Sequence, residues 1–338
     1  MNAKGLLLAQ PELPGALDRV RAIAAGRLVT LIEPYGPGTR LDRDLLADTE
    51  VLFADLPPDN VADATGLRWL QLGSHGYGQL AGRRLPAGCV VTNASGVNDI
   101  PIAEWCVMMM LALSRDLPGM LTAQQDRRWD RAPIFQNELR GKRLGLWGYG
   151  NIGRELAGLG HALGLTVTAL SRSGSADRGL RYHSDRAIPA VTVDRMYPPG
   201  AEAEFLAELD FLVLTLPLTS ATQAMVDAET LALLPPTAYL LNPARAGIVD
   251  EQALLHALRA GTIAGAALDD HYRTPMSADD PFWELPNTIS TAHISGSTGS
   301  PHFRARIWDL FGANLERWQQ GEQLTNVIDR ADLELAAS

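Results

Sequence analysis

Cysteine is scarce, and a basic surplus and long apolar runs are missing, in this chain of 338 residues. Its two cysteines, Cys89 and Cys106, supply neither a disulfide framework nor a metal-ligand spacing. No metal site is therefore expected. Lys and Arg total 29 against 39 Asp and Glu, a net charge of −10. An acidic chain without a basic cluster is a poor partner for nucleic acid or for an anionic membrane surface. No apolar run approaches the ~18 residues of a membrane span; the longest, Cys106 to Leu113, is about half that. Repeats and low-complexity tracts are absent as well. The remainder is ordinary globular composition, 46% hydrophobic and 20% charged, which excludes a disordered or fibrous chain. The expectation is a soluble cytoplasmic protein of two domains. The short apolar run Leu6-Leu7-Leu8 soon meets Gln10-Pro11-Glu12 without a cleavage pattern, so it reads as a first strand.

Short apolar runs punctuated by turn residues recur along the chain. Leu6–Leu8, Leu28–Ile32, Val51–Ala54, Trp69–Leu72 and Val90–Thr92 form one series, the pattern of a small parallel α/β unit. Pro101 to about Arg115 reads as a long buried helix, apolar nearly all round, with proline in its first turn. A second series follows: Leu144–Trp147, Val167–Leu170, Phe211–Leu214, Ala238–Leu241, Ala264–Leu268 and Thr288–Thr291. These are strands in the order of a doubly wound sheet. Gly174 to Gly200, rich in Arg, Pro and Asp, reads as a long surface connection. A last helix runs from Pro301 to Gln320.

Gly148, Gly150 and Gly153 follow a strand and open a helix, the context in which G-x-G-x-x-G cradles a pyrophosphate. The first glycine permits the turn, the second admits the phosphates, and the third packs helix on strand. Asn151 and Ile152 lie between them at the helix N-terminus, whose partial positive charge favours an anion. The next strand ends in Ser171-Arg172-Ser173, where an NAD site carries an acid for the ribose hydroxyls. No negative charge repels a 2′-phosphate there, and Arg172 offers a charged donor between two hydroxyls. NADP(H) is favoured over NAD(H); the alternative is that Arg172 is a solvated surface residue.

Three blocks resemble the D-isomer-specific 2-hydroxyacid dehydrogenases, nearly end to end and in the same order. They are Gly141–Gly153, Leu241–Leu254 (with Asn242-Pro-Ala-Arg245 at its head), and Ala267-Leu-Asp269 through Pro281–Asn287 to Thr291-Ala-His293. The resemblance implies two Rossmann-like, doubly wound parallel-sheet α/β domains with an active-site cleft between them. Residues 1–98 plus 295–338 would bind substrate and residues 99–294 the dinucleotide. It also implies a homodimer, formed in part by the helix after Asp99.

The resemblance likewise assigns roles. Arg245 would clamp the carboxylate and carbonyl of a 2-oxo acid, for which a planar guanidinium fork is suited. His293 would give and take the proton. Ser74, His75 and Gly76 match the substrate loop, whose backbone N–H groups hold the carboxylate. His75 and Tyr77 point either to a polar substrate tail or merely to a surface loop. Leu216, Pro217, Thr222, Pro243, Ala244, Asp269 and Ser295 would line the cofactor, with ordinary strand-end packing as a serious competitor for these flanking positions. Arg178 or Arg181 is left open as a further contact to the 2′-phosphate.

One departure stands out. The family pattern D-V-F-x-x-E-P carries a Glu that hydrogen-bonds the histidine; here Asp269-Asp-His-Tyr-Arg-Thr274-Pro275 puts Thr274 in its place. Without a carboxylate, His293 is expected to be protonated less often and reduction to prefer low pH. Three readings follow. Asp270 or Glu284 reaches His293 from elsewhere; a Thr hydroxyl orients the ring; or the reaction needs no proton there, as in the formate-oxidising branch. The expected function is NADPH-dependent reduction of a small 2-oxo acid, of the glyoxylate or hydroxypyruvate reductase kind. The alternatives are a dinucleotide-sensing corepressor-like protein and a hydride-transfer enzyme on an unusual substrate.

Overall fold

The computed structural model describes residues 4–80, 82–131, 137–172, 182 and 193–329. Ser173, Arg178 and Arg181 lie outside them. The chain divides into two compact units: Met1–Asn98 with Thr298–Ser338 and Tyr182, and Asp99–Arg178 with Ala187–Ser297.

The first unit is a five-stranded parallel sheet in the order β2-β1-β3-β4-β5. Its strands are β1 (Gly5–Ala9), β2 (Val29–Leu31), β3 (Thr49–Ala54), β4 (Trp69–Leu72) and β5 (Val90–Thr92). β1, β3 and β4 are buried almost throughout, as continuous apolar runs in a sheet covered on both faces must be. The helix Pro301–Gln320 covers one face, with Phe311 stacked on Phe53 at 4.5 Å and on Trp69 at 5.3 Å. Its buried Asn314 donates to Gln71 Oε1 and accepts from the Thr325 N–H, so the following segment is fixed to the same sheet.

The second unit is a seven-stranded parallel sheet, β12-β11-β10-β9-β6-β7-β8. Its strands are β6 (Arg143–Trp147), β7 (Thr166–Leu170), β8 (Arg195–Tyr197), β9 (Phe211–Leu214), β10 (Tyr239–Asn242), β11 (Gly265–Leu268) and β12 (Thr288–Ser290). β6 lies between β7 and β9, the switch point beside which ligands bind in such sheets. β8 corrects the reading of Gly174–Gly200 as a surface connection throughout. It is a three-residue edge strand, paired with β7 through Leu170 and Tyr197, too short and too polar at Arg195 to register as an apolar run.

The helix Asp99–Ser114 is a second correction. Cys106, Met110 and Leu113 are buried, whereas Met108 and Leu111 are exposed, so one apolar face is left uncovered. A further helix, Leu117–Gln125, continues that face with exposed Leu117, Met120 and Leu121. Among the described residues no helix is long and apolar enough to cross a membrane.

Candidate active site

Because the seven strands are parallel, the residues that follow them collect along one edge of the sheet. Gly148 follows β6, Ser171 follows β7, Leu216 and Pro217 come after β9, Arg245 after β10, Asp269 after β11 and His293 after β12. These lie in the second unit. Ser74, His75 and Gly76 follow β4 at the carboxyl edge of the first unit's sheet.

The glycines of the turn divide by what surrounds them. Gly148 has φ +102°, and a Cβ there would meet Thr215 O at 2.8 Å. A Cβ on Gly153 would meet Gly148 O at 2.9 Å. Both are therefore required by the fold's own backbone. At Gly150 a Cβ would meet nothing within 4 Å. Gly150 precedes the helix Asn151–Ala162 and gives it no side-chain cap, so no capping side chain stands between the helix start and a ligand. An open cradle at an uncapped helix start fits a pyrophosphate.

Around this turn, the Ser171 N–H donates to Tyr197 O, which anchors the end of β7, while Arg172 stands exposed. The Thr222 hydroxyl donates to Pro217 O at 2.7 Å and accepts from the Thr219 N–H at 2.8 Å. It closes the loop after β9 on itself. Asn242, 1% exposed, accepts from the Ala244 N–H and donates to Arg245 O at 2.9 Å. This amide shapes the Pro243-Ala244 turn that presents Arg245. Asn242 went unassigned in the sequence reading, although its motif was recognised. Arg245 is half-buried and donates to Ala244 O at 2.6 Å.

The loop after β12 is held from β11. Asp269, 1% exposed, accepts from Thr291 Oγ1 (2.6 Å), the Ile294 N–H (2.9 Å) and the Ser295 N–H (2.9 Å). Its carbonyl accepts from the His293 N–H at 2.7 Å. His271 Nε2 donates to Thr291 O at 2.8 Å, because a carbonyl can only accept. These bonds hold His293 in the left-handed region, φ +56°, a conformation a non-glycine residue keeps only when its surroundings enforce it.

The His293 ring is partnered. Its Nδ1 lies 2.9 Å from Asp270 Oδ1, and Asp270 Oδ2 accepts from the Ala246 N–H at 2.9 Å. Thr274 and Glu284 are exposed. The expectation of an unpartnered, acid-preferring histidine is thereby corrected: the carboxylate comes from the residue next to Asp269. The bond to Asp270 raises the His293 pKa above its ordinary value, against burial and the Arg245 charge, with Asp270 and Asp269 charges assisting. Burial pushes the Asp270 carboxyl up, but bonds from His293 and Ala246 and the Arg245 charge bring it below the usual range. The doublet Asp269-Asp270 was the available signal in the sequence.

In the first unit, Ser74 Oγ donates to Gly76 O at 2.8 Å and accepts from Gln79 Nε2 at 2.7 Å. Asn93 Nδ2 donates to His75 O at 2.8 Å. The loop is tied through its carbonyls and hydroxyl at the end of its sheet.

Residues 107–295 match the sequence model of the D-isomer specific 2-hydroxyacid dehydrogenase, NAD binding domain. The chain belongs to this family of NAD(P)-dependent oxidoreductases. It is 34% identical to a D-3-phosphoglycerate dehydrogenase of Synechocystis over 211 residues, 62% of this chain and 36% of that one. It spans less than half the length of such curated relatives. Full-length likeness comes from solved structures. A D-isomer specific 2-hydroxyacid dehydrogenase family protein of Aeromonas salmonicida is 28% identical, with a TM-score of 0.77, over 97% of this chain and 99% of that one. A probable 2-hydroxyacid dehydrogenase of Rhizobium etli, in complex with NADP, HEPES and L(+)-tartaric acid, is 25% identical with a TM-score of 0.74 over the same shares. Arg245 and His293, to which the resemblance gives the arginine and histidine roles, both follow strands of the second unit's sheet at one edge.

Proposed function

We propose that the chain reduces a small 2-oxo acid to the D-2-hydroxy acid, with NADPH preferred over NADH. The observation that carries this reading is a carboxylate-supported histidine and an arginine on the strand ends either side of β11, in the same unit as a turn that fits a dinucleotide. When bound, the reduced nicotinamide supplies the hydride to the carbonyl carbon. Arg245 holds the substrate's carboxylate and draws charge toward the carbonyl oxygen. His293 Nε2, the ring nitrogen left over from the bond to Asp270, gives its proton to the oxygen as it becomes a hydroxyl. Reversal returns that proton to a neutral ring.

The remaining assignments belong to the same reading. Residues 99–294 bind the dinucleotide, with Gly148, Gly150, Asn151, Ile152 and Gly153 at the pyrophosphate. Ser171 and Arg172 receive the 2′-phosphate, supported by the missing acid there and by the NADP held in the Rhizobium etli protein. Residues 1–98 with 295–338 bind the oxo acid through Ser74, His75 and Gly76. The uncovered face of Met108, Leu111, Leu117 and Met120 is the contact with a second copy in a homodimer, which sedimentation would read. Free thiols at Cys89 and Cys106 suit the reducing cytoplasm.

The test is oxidation of NADPH, with NADH alongside, against glyoxylate, hydroxypyruvate and phenylpyruvate. Turnover on at least one acid, faster with NADPH and abolished in Arg245→Ala, is the expected result. Tight NADPH binding with no turnover on any oxo acid would instead favour a dinucleotide sensor, for which neither Arg245 nor His293 is needed.

A further inference from the structure

The acid beside His293 comes from a different place in the loop than the family pattern leads one to expect, and its second oxygen is also in use. Asp270 leaves β11 next to β10, so its short side chain reaches both neighbours. Oδ1 meets His293 Nδ1 and Oδ2 meets the Ala246 N–H, each at 2.9 Å. Ala246 directly follows Arg245, and the Asn242 amide already fixes the near side of that turn. We propose that Asp270 is the positioning residue of this site, setting the proton-donating histidine and the turn of the substrate-binding arginine with a single carboxylate. This rests on the roles given to His293 and Arg245 above.

Other charged groups face His293, and none duplicates that work. The Asp269 carboxylate is committed to Thr291, Ile294 and Ser295. His271 reaches the Thr291 carbonyl. Arg245 opposes protonation of the ring. With Nδ1–H donated to Asp270, the tautomer and ring plane are fixed and Nε2 is the nitrogen that exchanges its proton. A carboxylate shared with the arginine's turn adds a coupling: a change at Asp270 disturbs proton transfer and oxo-acid binding together.

The test compares wild type, Asp270→Asn and the double variant Asp270→Asn/Thr274→Glu. Asp270→Asn is expected to lower kcat for reduction by about 100-fold, at the low end of what general acid–base catalysis contributes. Its pH limb moves to lower pH, and KM for the oxo acid rises several-fold because the Ala246 N–H loses its anionic acceptor. In the double variant a Glu at the family's position restores the limb but not KM. An unchanged limb or an unchanged KM in Asp270→Asn overturns the proposal.

A second readout needs no turnover. The His293 imidazole, followed by NMR with NADPH bound, is expected to titrate above the ordinary histidine value in wild type and lower in Asp270→Asn. If that shift appears while every oxo acid is inert, the positioning role stands and the proposed reaction falls. If Asp270→Asn is recovered poorly, wild type decides alone: a His293 titrating at or below the ordinary value overturns the proposal.

Discussion

The glycine turn after β6 and the histidine loop after β12 sit at the same edge of one sheet and are built by opposite means. The turn is specified by missing side chains. Gly148 and Gly153 are small because backbone oxygens lie within 3 Å of where a Cβ would be, and all the determinants lie within a few residues or on the adjacent strand. The histidine loop is specified by added side chains from elsewhere. Asp269, Asp270 and His271 reach across from β11 to hold residues 20 to 26 positions away. A phosphate cradle must offer bare N–H groups, so it is made by subtraction. An acid–base group must be oriented and charge-tuned, so it needs partners.

Substitutions at the two places are expected to behave differently. The largest effect falls on Asp269→Asn, which sets an amide against three donors. A loss of about 3 kcal/mol in urea unfolding is expected, as for a buried charged acceptor removed, and the His293 loop goes with it. Gly153→Ala drives a Cβ toward Gly148 O and is expected to cost about 2 kcal/mol by the same measurement. Gly150→Ala should leave stability unchanged while weakening NADPH about tenfold by fluorescence titration, roughly 1.4 kcal/mol. Equal losses of stability at Gly150 and Gly153 would erase the distinction between the glycine that serves the fold and the one that serves the ligand. The smallest effect is at Arg172→Ala. There the ratio of NADPH to NADH affinity should fall about fivefold, the modest share of an exposed charge pair. No change would make Arg172 the solvated residue of the alternative reading.

The same contrast explains what was legible in the sequence. Eleven of the strands described could be read as runs along the chain because buried parallel strands are continuous apolar stretches, and the G-x-G-x-x-G motif carries its own context. β8 was hidden by its three-residue length at an edge. The uncovered face of Asp99–Ser114 was hidden because its apolar residues lie all round, which leaves periodicity blind to which side is packed. At the proposed site, Arg245 and His293 were assigned by resemblance to a family, whereas Asp270 was only one of several possible partners. No periodicity or spacing reveals that a carboxylate after β11 will lie 2.9 Å from a ring after β12; that follows from two strands becoming neighbours.

The pH dependence of NADPH-driven oxo-acid reduction tests the account most directly. A histidine whose pKa is raised by Asp270 stays protonated to higher pH than a free imidazole. Reduction, which consumes that proton, should hold its rate through the ordinary histidine value of 6.5 and fall only above it. The reverse oxidation should rise over the same interval. A reduction rate already falling below that value would contradict the account, because His293 would then be working without its carboxylate.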